Sequence, residues 1–89
     1  LLPPAPNPFN PTTTLTYEVP AGGGAVLLRV YDLAGHVVRT LVEGHRDAGR
    51  HEQVWDGRDA GGRPAPSGVY LFRLTAGGSS VSRTAVMTK

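Results

Sequence analysis

Side chains able to do chemistry are few in this sequence, and their spacing is poor. It holds three His (His36, His45 and His51), four Asp, three Glu and no Cys. His45 and Asp47 have a short metal-ligand spacing, but a lone His-x-Asp between Gly44 and Gly49 reads as a solvated loop. A nucleophilic serine needs a strained turn and a base, yet Ser67 opens a strand and Ser79, Ser80 and Ser82 fall in a hairpin. Asp56 and Asp59 have the separation of paired carboxylates. Arg58 between them and Arg63 nearby favour an ion-paired turn over an acid of raised pKa. Residues 56–62 carry part of a calcium-loop pattern without its alternating third ligand or its distal Glu. Gly22-Gly23-Gly24 precedes no helix and so forms no phosphate cradle. The sequence therefore assigns no catalytic residue, no metal ligand and no cofactor. Sugar binding has one foothold, Tyr31 beside Arg29, which could stack on a pyranose face.

Composition narrows the class further. The 89 residues include 12 Gly and 8 Pro, spread so as to oppose long helices. At 39% hydrophobic and 18% charged, the chain is globular in composition. The length suits one domain. No apolar run approaches the roughly 20 residues that a helical bilayer crossing needs. The net charge is +2 and the nine Lys and Arg are scattered, which argues against a nucleic-acid partner. The chain begins at Leu1 without a signal peptide and reads as a module of a longer protein.

The elements that must position these residues are strands. Residues 1–11 contain five prolines and are expected to form a Pro-rich linker and leader, with residues 12–89 as the folded module. In the leader, Phe9 is the large apolar anchor, expected to cap the bottom of the core while Asn7 and Asn10 close Asx turns. Leu15, Tyr17 and Val19 alternate with polar residues, as do Val26, Leu28 and Val30, so both stretches are half-buried strands. Asp32-Leu33-Ala34-Gly35 suits a tight hairpin. In the return strand Val38 and Leu41 are out of phase, which implies a bulge or bend. Trp55 should fill the middle of a sandwich, with Gln53 on the same face at a sheet edge or beside a bulge. Residues 68–75 are apolar on both faces, as a central strand is. A hairpin at 77–80 leads into the last strand. Six strands result, with a short seventh around 59–66. The expectation is an all-β, antiparallel sandwich of about seven strands.

Four stretches together resemble the FlgD-like immunoglobulin domains. They are Asn7-Pro8-Phe9-Asn10-Pro11, Val30-Tyr31-Asp32-Leu33-Ala34-Gly35, Trp55-Asp56-Gly57-Arg58-Asp59-Ala60-Gly61-Gly62 and Ser67-Gly68-Val69-Tyr70. Within that group the chain is similar to the type A C-terminal sorting domain of the type IX secretion system. Pro66, Gly68 and Tyr70 match its Pro-x-Gly-x-Tyr element, Gly77 and Arg83 match a Gly with a basic residue six positions on, and Lys89 closes the chain. The resemblance implies an immunoglobulin-like sandwich that serves as a non-catalytic sorting and cell-surface attachment module of a secreted protein. It also implies an outer-membrane secretion machinery and the parent's own N-terminal domains as partners. The isolated module is expected to be monomeric. Two rival readings accompany this one: a structural spacer or assembly domain, as in the flagellar hook-capping relative, and a carbohydrate-binding module on a glycosidase.

Overall fold

Alternation of apolar and polar residues produces six strands in the computed structural model, which describes residues 1–88. They are β1 (Thr13–Val19), β2 (Gly24–Tyr31), β3 (Val37–Arg46), β4 (Gly49–Trp55), β5 (Gly68–Ala76) and β6 (Ser79–Met87). They form two antiparallel sheets, β1-β4 and β3-β2-β5-β6, and no helix occurs among the described residues. The chain crosses between sheets at 20–23, at 47–48 and at 56–67, so each sheet presents one face to a shared core. The inward set is Leu15, Tyr17, Val19 and Trp55 from the small sheet, with Val26, Leu28, Val30, Tyr70, Phe72 and Leu74 among those from the large one. The fold is the expected all-β sandwich. The seventh strand around 59–66 is reduced to a single bridge between Arg58 and Pro64.

The irregular parity of β3 has a structural cause. Leu28 pairs with Val42, Arg29 with Thr40, Val30 with Arg39 and Tyr31 with Val37, so Leu41 and Val38 are the two extra residues. Each bulge reverses the facing of the strand residues beyond it. Both side chains pack half-buried against the core as a result. At the β5-β6 turn, Ala76 faces Ser79 across Gly77 and Gly78, whose φ values are +57° and +79°. A two-residue turn with both centres left-handed matches the strand twist and favours glycine at each.

Residues 1–9 are bound to both sheets. Leu2 N–H donates to Thr16 O at 2.9 Å, and Ala5 and Thr14 exchange backbone bonds of 3.1 and 2.9 Å, so the leader first runs along β1. It then crosses to the outer edge of β6, where Phe9 N–H donates to Val86 O at 2.9 Å and Phe9 O accepts from Thr88 N–H at 2.8 Å. Asn7 closes no Asx turn among the bonds found; its Oδ1 accepts from Val86 N–H at 2.9 Å. Buried Thr13 donates from Oγ1 to Pro6 O at 2.9 Å. Phe9 is buried, with its ring 5.8 Å from Trp55 and 6.4 Å from Phe72 between centroids. Truncation of this ring should leave a cavity between the sheets. Phe9→Ala is expected to lower stability by about 3–5 kcal/mol, measured by denaturant unfolding. A loss below about 1 kcal/mol would show that the site collapses without it.

Candidate functional site

The motif residues that lie far apart in sequence converge at one end of the sandwich. Trp55 ends β4, Gly68 begins β5 and the hairpin Asp32–His36 joins β2 to β3. The 56–67 loop spans the space between them. A hollow of about 390 Å³ lies there, lined in part by Asp32, Val38, Asp59, Ala65, Pro66 and Tyr70.

Trp55 sets the geometry. The indole is fully buried, so its N–H needs a partner inside the protein. Nε1 donates to Arg58 O at 2.9 Å, which fixes the first turn of the loop. Asp56 Oδ1 accepts from Arg58 N–H at 3.0 Å and from Arg39 Nη1 at 3.2 Å. Asp59 Oδ1 accepts from Gly61 N–H at 2.9 Å and Arg63 N–H at 3.0 Å. These carboxylates are turn formers. The ionic partner of Asp56 is therefore Arg39, 17 positions upstream, and not Arg58 or Arg63 as expected. Arg58 instead donates from Nη1 to Gly62 O at 3.0 Å. The bulge at Val38 also contributes, because its carbonyl accepts from Ala60 N–H at 3.0 Å and ties the loop to the edge of β3.

In the hairpin, Asp32 Oδ1 accepts from His36 N–H at 2.9 Å, and Oδ2 lies 3.4 Å from His36 Nδ1. The bond from His36 N–H holds the Asp32 carboxyl below its usual value against desolvation, and the His36 charge contributes less than either. A general acid needs the opposite shift. Tyr70 is buried and its hydroxyl donates to Pro66 O. Burial, and then the charge of Asp32, push its phenol above the ordinary value. Among the described residues no group of three or more His, Cys, Asp or Glu is placed to hold a metal ion. What this end of the molecule does chemically is close a loop.

The other residues singled out in the sequence are dispersed. Pro66 and Tyr70 meet through that hydroxyl. Gly77 sits in the β5-β6 turn just before β6, and Arg83 lies on β6, opposite Phe72. Arg83 Nε donates to Leu1 O at 2.8 Å, so it secures the leader. Lys89 lies outside the described residues. Gln53 is half-buried on β4, opposite Leu15 in the two-stranded sheet, and donates to Val54 O at 3.1 Å. Tyr31 is half-buried on the outer face of the large sheet. Arg39 escapes a reading of the sequence, since nothing local marks a partner 17 residues distant.

Two antiparallel sheets joined by an aromatic core and closed by a bonded loop define an immunoglobulin-like β-sandwich. The sequence profile of the FlgD Ig-like domain matches residues 7–80, and the chain belongs to that family. It is 37% identical over 65 residues to the basal-body rod modification protein FlgD of Salmonella typhimurium and 35% identical to that of Escherichia coli. These matches cover 73% of this chain but 28% of the relatives, so the chain spans under a third of their length. The crystal structure of FlgD from P. aeruginosa is similar with a TM-score of 0.64 and 28% identity, over 84% of this chain and 58% of that one. These findings overturn the type IX sorting function that the resemblance implied, because the relatives are basal-body rod modification proteins and not sorting domains. Of the residues behind that implication, Tyr70 bonds Pro66 and Arg83, exposed on β6, bonds the leader.

Three substitutions test the loop closure. A tyrosine whose pKa is raised by folding contributes stability below its unfolded value of about 10, and loses it as pH climbs above that value. Tyr70→Phe is expected to lower stability at neutral pH by about 1 kcal/mol and to flatten the alkaline decline, read from denaturant melts across pH. An alkaline decline as steep as that of the parent chain would assign it elsewhere. Gly57 has φ +78°, and a Cβ there would meet Pro11 O at 2.6 Å and Met87 Cε at 3.3 Å, whereas Gly62 at φ +81° faces open space. Both substitutions carry a left-handed penalty of about 1–2 kcal/mol. Gly57→Ala should cost clearly more than Gly62→Ala, and equal melting temperatures would refute the close approach.

Proposed function

We propose that this chain is a non-catalytic assembly module, an Ig-like sandwich through which a FlgD-type protein takes part in building a flagellar structure. The observation that carries the proposal is the 37% identity to the basal-body rod modification protein FlgD, which runs through most of this chain. The chemistry of the site agrees with that reading. Its carboxylates accept from backbone N–H groups and a basic side chain, and its phenol donates to a carbonyl, so these polar groups hold the loop. On this reading the module works as part of an exported protein.

The experiment is a domain exchange. Residues 7–88 replace the matching Ig-like segment of FlgD in a Salmonella strain lacking its own copy. Restored hook formation and swimming, even to a reduced extent, is the expected result. A chimera that is folded and exported but leaves cells without hooks would overturn the reading.

A further inference from the structure

The outer face of the large sheet carries an unbalanced pair of charges. Leu28, Val30, Phe72 and Leu74 point into the core, so Arg29 and Arg73 between them point out, and the register places these two arginines directly opposite each other. Like charges directly opposed across strands are destabilising. Their row across the sheet reads Thr40, Arg29, Arg73, Ser82, with no anion in it. The three ion pairs among the described residues involve neither arginine. Arg29 donates from Nε to Thr40 Oγ1 at 3.3 Å and to no carboxylate. The acid on this face, Glu43, stands in the next row opposite Leu27 and joins no ion pair.

The row on the other side is largely apolar, with Val37, Tyr31 and Leu71 ending on Thr84. Beside it lies a hollow of about 330 Å³ lined by Tyr31, Leu33, Leu71, Arg73 and Thr84. Leu33 forms one wall and is 77% exposed. Asp32 and Gly35 complete the rim, and the Asp32 carboxylate is turned to His36. An apolar recess thus opens beside two guanidinium groups that lack an anion.

We infer that this face docks a segment of a partner protein in which a carboxylate adjoins an apolar side chain. The carboxylate meets Arg29 and Arg73, whose guanidinium groups donate paired N–H bonds to its two oxygens. The apolar side chain enters the recess between Leu33 and Leu71. The occupant is indicated by charge complementarity: an acidic group relieves the repulsion that the sheet carries alone. This deepens the assembly reading and rests on it. The domain exchange tests that reading separately, since a chimera that restores hooks while peptide selection fails sinks this inference alone.

The test selects binders to the 89-residue chain from a displayed library of random peptides. Selected sequences should be enriched in Asp or Glu beside a large apolar residue. Their binding should weaken about tenfold or more when Arg29→Gln and Arg73→Gln are combined, the scale of losing charge-assisted bonds. It should also weaken as salt rises from about 50 to about 500 mM, because these charges are open to screening. The double variant relieves a repulsion and is expected to melt no lower than the parent chain, so lost binding is not lost folding. Absence of acidic enrichment, no recovered binders, or binding unchanged in the double variant would overturn the inference. So would binding to phosphatidylglycerol vesicles in place of peptides, or self-association abolished by the same variant.

Discussion

The structure depends on one buried N–H. Trp55 supplies the largest side chain in the core, and its indole donor has no access to water. Arg58 O answers it at 2.9 Å and also accepts from Arg39 Nη1 at 3.2 Å. One carbonyl therefore joins the end of β4, the adjoining loop and the edge strand β3. An unmet buried donor costs about 1–3 kcal/mol, and breaking this bond would also release the loop that covers the aromatic cluster. The ring holds the two sheets together directly. Its centroid lies 5.1 Å from Tyr70 and 5.7 Å from Phe72 on the large sheet, and 5.8 Å from Phe9 on the leader. In antibody domains a Trp at the centre of a sandwich packs against an inter-sheet disulfide. Here no cysteine exists, and inward-facing aromatics from three parts of the chain occupy that space.

A small sandwich must also manage its edges, since unpaired strands invite foreign pairing. This one uses segments that lack regular structure. The leader covers β1 over Leu2–Ala5 and β6 around Phe9, and the Ala60 N–H meets the carbonyl that the Val38 bulge frees from the ladder. Arg83 and Asn7 reinforce the leader with bonds to and from the backbone. The prolines of this segment suit the role, because they withhold the N–H groups that would propagate a sheet. The same segment that resembles a linker in composition is thus engaged along the edges of both sheets.

These arrangements separate what is legible in the sequence from what is not. Strand parity fixes the facing of Leu15, Leu28, Trp55 and Phe72, because period-two alternation is a local signal. The phase faults at Val38 and Leu41 mark the two bulges for the same reason. The partner of Asp56 is not legible: Arg58 and Arg63 are closer in sequence, but the turn points them elsewhere, and only the sheet register brings Arg39 across. The seventh strand fails because Asp59 turns its carboxylate onto Gly61 and Arg63 N–H and curls the segment after one bridge. Asn7 invites a local reading and acts over a separation of 79 residues.

The misassigned function has a related cause. In the sequence, the Pro66–Tyr70 element and the basic residue at Arg83 look like features displayed to a receptor. In the fold both side chains bond the chain's own backbone, Tyr70 on the carbonyl of Pro66 and Arg83, at the surface, on that of Leu1. Residues that close a fold are required by every use to which the fold is put. They identify the sandwich and leave its task open, in keeping with the general rule that function resides in sites placed on a scaffold. What distinguishes one use from another must lie where side chains are not committed to the interior. On this molecule that condition holds on the outer face of the large sheet, where Arg29 and Arg73 oppose each other at a cost to the isolated domain. A charge pair that weakens the fold is better explained by a contact outside it than by one within.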